Sequence, residues 1–297
     1  MRDVWLVARF EVFRAIRTWR ALALLVLYGV ASAGACWLFV RFVGLLENSL
    51  AQQLRVPVTK TPGAMLGRLV SSDMWHDVVA AMCGSETLAD HLVSIPPLAM
   101  FHLWLGFLLV PFFAASASAE CIAIDVQSRA VRYELLRTGR IEIVVGRFLG
   151  QLALTGAASV LSMVAALAVG MGFMLIEDPL ALAGWMLIYT PRAWAFGIPF
   201  VALGVTASQL TASPAWARVM AIGAAASSWV LLGIARWMET RDGLGIVADV
   251  MLQLLPQGWI RGMWDPGWGW LASSAACAAL AGAGLVVGYV RFSRRDL

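Results

Sequence analysis

Two long uncharged runs, residues 97–119 and 148–176, lie on either side of a charged segment at 120–147. Each run is long enough to cross a bilayer, for which about 20 apolar residues suffice. A charged segment between two spans must lie in water on one side of the membrane. It holds five arginines, and basic residues near span ends stay on the cytoplasmic side. This segment therefore orients the rest of the chain.

The composition agrees with a chain built mainly of membrane spans. The 297 residues are 61% hydrophobic and 13% charged, whereas soluble domains average about 25% charged residues. We predict an all-α polytopic membrane protein that forms a single transmembrane domain over 1–297. The net charge of +4 is spread over span ends, so we expect the lipid bilayer, and no nucleic acid, as a partner.

The apolar runs predict six transmembrane helices joined by short connections and two longer segments. The predicted spans are about 21–40, 97–119, 148–176, 185–210, 215–237 and 269–290. Residues 41–96 are expected to be an outer loop with a helix at 72–82, and residues 120–147 a cytoplasmic loop. An apolar run at 246–255, too short to cross and followed by tryptophans, predicts short re-entrant or interfacial helices before the last span.

Residues 1–20 predict an amphipathic helix that lies in the membrane interface before the first span. An apolar stripe recurs at steps of three and four residues, which places its members on one face. The stripe consists of Trp5, Ala8, Val12, Ile16 and Trp19. A basic leader that only anchors the first span is the alternative.

Basic residues indicate the orientation of the six spans. Fourteen arginines fall in the segments assigned to the inside, whereas seven basic residues, Lys60 among them, fall outside. We therefore expect both termini in the cytoplasm.

Two ionisable residues fall inside the apolar runs and are candidate pathway or interface residues. Arg192 follows Thr190-Pro191, so it either marks the outer interface, with the span beginning at Ala193, or lies at depth in one long broken helix. The interface is favoured because it needs no partner charge. His102 is expected to face the bundle rather than relay protons, because no carboxylate in the spans lies near it in sequence.

The sequence lacks the motifs of several enzyme classes. No GxxxxGK[ST] phosphate loop occurs, so the chain is not expected to hydrolyse ATP. His76, Cys83 and His91 share one segment, but their spacing matches no metal-ligand pattern, so no metal site is expected. Ion-coupled transporters place acidic residues or histidines in their pathways, and these spans hold almost none. Energy is therefore expected to enter from a partner.

The charged segment 120–147 is the candidate entry point for that energy. We predict a short helix from Asp125 to Arg137, with Val131, Leu135 and Leu136 on one side and a mixed-charge face that docks on a soluble partner. The candidate coupling residues are Glu120, Asp125, Arg129, Arg132, Tyr133, Glu134, Arg137 and Arg140. A solvated loop that only balances topology is the alternative.

Several stretches together resemble the membrane subunit of ABC-2 type exporters, the type V class. Arg9-Phe10-Glu11 precedes the first span, and the chain ends on FSRRDL at 292–297. The serine-containing turn at 208–213 and the helices at 246–262 also match. In the loop, the matching residues are Asp125, Arg132-Tyr133-Glu134, Leu135-Leu136, Thr138-Gly139-Arg140 and Gly146-Arg147.

The resemblance implies a half-transporter in a bacterial inner membrane. Two permease subunits, identical or different, would pair, and separate ATPase subunits would bind ATP and Mg²⁺ and dock on the inner loops. The permease itself would need no cofactor. Three alternatives remain: a permease that transmits ATP-driven motion to periplasmic partners, a membrane-embedded enzyme, and a structural scaffold.

Overall fold

The computed structural model describes residues 2–56, 61–241 and 243–295. Lys60, counted above among the outer basic residues, lies outside these ranges, as do the last two residues of the FSRRDL ending. The described residues form helices and contain no strand. In chain order, the helices are α1 (Arg2–Arg17), α2 (Trp19–Gln53), α3 (Leu66–Val70), α4 (Asp73–Cys83), α5 (Glu86–Leu92), α6 (Pro97–Ser118), α7 (Ala123–Gln127), α8 (Val131–Leu135), α9 (Arg140–Phe173), α10 (Pro179–Leu210), α11 (Pro214–Glu239), α12 (Gly245–Leu254), α13 (Ile260–Trp264) and α14 (Gly269–Ser293), with a 3-10 turn at Pro256–Trp259.

Six of these helices, α2, α6, α9, α10, α11 and α14, are long and apolar enough to cross a membrane. The predicted all-α polytopic fold is confirmed.

Polar residues cap several helices where the sequence indicates a start. Ser72 accepts from the Trp75 amide before α4, and Ser213 precedes Pro214 at the first position of α11. A proline there loses no hydrogen bond, because the first amides of a helix have no partner within it.

Helices α6 and α10 form the centre of the bundle. They bury 67% and 78% of their most apolar stretches, whereas the other four spans bury 33% or less. Close approach of the two backbones requires a glycine at Gly204. A Cβ atom there would lie 2.6 Å from the Ala115 carbonyl oxygen, far inside van der Waals contact. The remaining spans surround this pair and leave one side of each helix exposed.

The bundle has two ends with different structures. One end carries α1, α7, α8 and the C-terminus of α14, and we call it the loop face. The other end carries α3 to α5, α12, α13 and the 3-10 turn, and we call it the opposite face. Gly258 turns the chain so tightly that an added Cβ would lie 1.9 Å from the Leu252 carbonyl oxygen.

Several helices continue beyond the apolar runs that predict the spans. Helix α2 does not end at residue 40 but continues to Gln53, so the segment 41–96 begins as a helix. Helix α9 begins at Arg140, inside the predicted loop. Once a helix is nucleated, each added residue gains a hydrogen bond, so polar residues extend it into water.

The predicted helix from Asp125 to Arg137 is wrong. Two five-residue helices, α7 and α8, occupy this stretch, and Arg129 between them has a φ of 60°. A single helix cannot pass through a residue in the left-handed region. Leu136 does not pack on the bundle either, since it is 82% exposed.

Helix α10 is not interrupted at Arg192, and the position of this residue relative to the membrane interface stays a prediction. Arg192 lies thirteen residues after the start of α10, and the helix continues through both Pro191 and Arg192. Helix α10 begins at Pro179, before the predicted span at 185–210. Prolines are tolerated in transmembrane helices, where neighbouring groups satisfy the freed carbonyls.

Candidate functional site

Helix α1 packs along the first turns of α9, and two glycines allow this contact. A Cβ atom on Gly146 would lie 2.6 Å from the Val7 Cβ, and one on Gly150 would lie 2.8 Å from the Glu11 Cβ. Glycines four residues apart let two helices approach closely. Arg147 lies directly after the first glycine, so α1 crosses α9 beside its side chain.

The buried face of α1 differs from the predicted apolar stripe. Ala8, Glu11 and Ala15 are buried, whereas Trp5 and Ile16 of that stripe are exposed. The contact with α9 uses a different face of α1, which includes the carboxylate of Glu11. An apolar pattern cannot identify a packing face that contains a charge.

Arg147 is the centre of a buried ion-pair cluster. Its side chain is 2% exposed. One terminal nitrogen donates to both oxygens of Glu134, at 2.8 and 2.7 Å. The other contacts Asp125 and donates to the Cys121 carbonyl oxygen. Arg147 therefore joins α9 to α7, to α8 and to the end of α6.

The cluster continues into α1. Arg14 donates to the Asp125 carboxylate at 2.7 Å, and the Gln151 amide donates to Glu11 at 2.8 Å. Burial alone would lower the pKa of the Arg14 guanidinium, but the nearby carboxylates of Glu11 and Asp125 outweigh it, so this pKa lies above its ordinary value. We call Glu11, Arg14, Asp125, Glu134 and Arg147 the buried cluster.

The predicted coupling residues fall into two groups in the structure. Four make contacts with the bundle: Asp125 and Glu134 belong to the buried cluster, Glu120 pairs with Arg218 at 2.8 Å, and Arg140 donates to the Phe292 and Ser293 carbonyl oxygens at 2.7 Å. The last contact caps the C-terminus of α14, where carbonyl oxygens have no partner within the helix.

The other four predicted residues are exposed on the loop face. Tyr133 is 75% exposed, and Leu136 beside it is 82% exposed. Together they form an apolar patch among arginines. We call this group the loop surface, and it comprises Arg129, Arg132, Tyr133, Leu136 and Arg137.

The loop surface rests on the bundle through buried contacts. Val131 of α8 is 1% exposed. At the start of α7, the Ser208 hydroxyl of α10 accepts hydrogen bonds from the Ile122 and Ala123 amides, at 2.8 and 2.7 Å. Both short helices are therefore attached to long ones.

The two candidate residues within the spans lie away from the loop surface. Arg192 donates to the Met263 and Asp265 carbonyl oxygens, at 3.0 and 2.9 Å, and its guanidinium lies over the Tyr189 ring. The dipoles of these carbonyl groups thus stabilise the buried cation. His102 is 3% exposed and lies 3.4 Å from the Thr190 hydroxyl. Both join helices of the bundle, as side chains with buried partners do.

Sequence reasoning missed Glu11, Arg14 and Gln151 as site residues, and it left Arg147 out of the coupling set. The available signal was a glutamate and an arginine three residues apart on the predicted interfacial helix. Besides Asp3 in the first turn, Glu11 is the acidic residue of this basic, aromatic helix. The sequence alone does not indicate which arginine lies near Glu11 in the fold.

The comparisons with known proteins agree with this architecture. A search of curated proteins found no match to the chain. The family model described as ABC-2 family transporter protein matches residues 5–297, which is nearly the whole chain. Its six apolar helices make the chain an integral multi-pass membrane protein. The chain belongs to the ABC-2 transporter family, as the membrane permease component of an ABC transporter.

Proposed function

We propose that this chain is the permease of an ABC exporter, that it works in a pair of permease subunits, and that a separate ATPase docks on its loop surface. The observation that carries the proposal is the exposed pair Tyr133 and Leu136 among three arginines. Large apolar side chains exposed in a charged setting are typical of a docking site. Tyrosine and arginine are also enriched at such interfaces.

The buried cluster connects the loop surface to the long helices of the bundle. Glu134 lies next to Tyr133 in α8 and holds Arg147 of α9, while Asp125 of α7 holds Arg14 of α1. A shift of the loop surface therefore acts on both helices through charged contacts that are costly to break. ATP binding to the partner would favour one arrangement of these helices over another, which is the requirement for coupled motion.

The orientation in the membrane follows from the basic residues. Helix α1 and the C-terminus of α14 both lie at the loop face, since Arg14 of α1 bonds to Asp125 of α7 and Arg140 caps α14. Fourteen arginines lie in segments at this face, whereas six of the described arginines lie in segments of the opposite face. We therefore assign the loop face to the cytoplasm of a bacterial inner membrane. ATP and Mg²⁺ belong to the partner, because the printed sequence holds no phosphate loop.

A charge reversal tests the docking role. The double variant Arg132→Glu and Arg137→Glu replaces two exposed cations and leaves the buried cluster intact. Charges at an interface set orientation and association rate, so we expect at least tenfold less ATPase retained on the tagged permease. The assay is co-purification from membranes, followed by ATP hydrolysis in the purified complex.

The matched control is Arg68→Glu, an exposed arginine on the opposite face. It should leave ATPase recovery unchanged. Labelling of Gln127→Cys in the double variant shows whether the loop face has kept its orientation. A correctly inserted double variant that retains the ATPase at the parental level would refute the docking role of the loop surface.

A further inference from the structure

A groove of about 290 Å³ opens on the opposite face, between α4, α6, α11 and the start of α13. Its walls are largely apolar and aromatic. They include Trp104, Phe107, Leu108, Trp229 and Leu232. Two of its walls, α6 and α11, are candidate membrane spans. Its volume lies near the lower end for small-molecule pockets, which suits part of one acyl chain.

Two arginines converge at the mouth of this groove. A Cβ atom built on Gly84, which also lines the groove, would lie 3.6 and 3.7 Å from the Arg236 terminal nitrogens and 4.0 Å from Arg261 Nε. Both side chains are exposed. Within the described ranges, neither forms an ion pair with a carboxylate. Two neighbouring guanidinium groups repel one another, and an anion between them would offset this repulsion.

The groove also offers a donor deeper in its wall. The Trp229 indole nitrogen is buried, and no described group accepts its hydrogen bond. Buried indole N–H groups usually have a partner. The ester carbonyl of a lipid is an acceptor at the depth between headgroup and chain.

We propose that this groove binds one anionic phospholipid, with the headgroup phosphate between Arg236 and Arg261 and an acyl chain along Trp104 and Leu232. The charge of the two guanidinium groups selects an anion. The apolar wall selects a lipid over a free phosphate ion. The site is separate from the loop surface, and it stands whether or not an ATPase docks there.

Native mass spectrometry of the detergent-purified chain tests the site with defined lipids. We expect one dioleoyl phosphatidylglycerol to bind in preference to dioleoyl phosphatidylcholine, which carries no net charge. Arg236→Gln and Arg261→Gln should each weaken phosphatidylglycerol binding about tenfold, the effect of one lost charge-assisted hydrogen bond. The control Arg68→Gln removes an exposed arginine elsewhere on the same face and should leave binding unchanged.

A second pair of variants tests the groove itself. Gly233 lines the groove, and a Cβ atom there meets nothing within 4 Å, so Gly233→Leu fills the space without a clash. Gly223 on the same helix is equally open and lies away from the groove, so Gly223→Leu is the control. Only the first should reduce lipid binding. Equal binding by both variants, or full displacement of the lipid by inorganic phosphate, would overturn the proposal.

Discussion

Replacing Arg147 with glutamine should destabilise the protein more than any exposed substitution. The variant removes the bidentate bond to Glu134 and the contact with Asp125, at a side chain that is 2% exposed. Breaking a buried ion pair costs about 3–5 kcal/mol, because the remaining charge stays buried.

The structure places the expected loss of stability in Arg147→Gln near the lower limit of that range. Glu134 is 30% exposed, so water can solvate it once Arg147 is gone. Asp125 keeps its bond from Arg14 at 2.7 Å. We therefore expect a loss of about 3 kcal/mol in the free energy of unfolding. The measurement is unfolding of the detergent-solubilised chain in increasing dodecyl sulfate, followed by tryptophan fluorescence.

A double-mutant cycle separates the energy of the ion pair between Asp125 and Arg147 from other effects of each substitution on stability. Asp125→Asn combined with Arg147→Gln should cost at least about 1 kcal/mol less than the sum of the single variants, since residues in one network are coupled. Arg17→Gln is the control, because Arg17 is exposed on α1, and it should change stability by less than about 0.5 kcal/mol. An additive cycle, or an Arg147→Gln variant as stable as the parent, would refute the role assigned to the cluster.

Three further predictions concern other parts of the molecule. Gly150→Leu should release α1 from α9 and expose it to protease, because a Cβ there comes within 2.8 Å of α1, whereas Gly172→Leu, which meets nothing within 4 Å, should not. Arg192→Met should cost about 3 kcal/mol of stability by leaving two carbonyl oxygens without a donor, measured by unfolding as above. Because all four native cysteines are buried, Gln127→Cys and Glu239→Cys should react with maleimide from opposite sides of the membrane; labelling of both from one side would contradict the topology.

The fold was largely predictable because it follows from local patterns. Long apolar runs indicate the six helices, and Ser72 and Ser213 mark helix starts through their own side chains. The helix ends were less predictable. Helix α2 continues to Gln53 through a mixed polar and apolar stretch, and Gly44 within this stretch does not end the helix.

The candidate site was only partly predictable because its contacts join distant residues. The charged segment is visible in sequence, but Glu11 and Gln151 meet across 140 positions. The sequence likewise does not show that Glu134 faces Arg147 while Tyr133 beside it faces outward. The break between α7 and α8 at Arg129 sets which side chains of α8 face inward, and no glycine at this position indicates the break in the sequence.

Site-specific photo-crosslinking at Leu136 tests whether an ATPase docks on the loop surface. A benzophenone amino acid placed there lies within the loop surface, and the same group at Leu180, 85% exposed at the start of α10, is the control. After irradiation of intact cells, mass spectrometry identifies what each position has captured. We predict an adduct with a phosphate-loop ATPase at Leu136 and none at Leu180. The absence of an ATPase adduct at Leu136, with an ATPase still co-purifying, would contradict the docking surface proposed here.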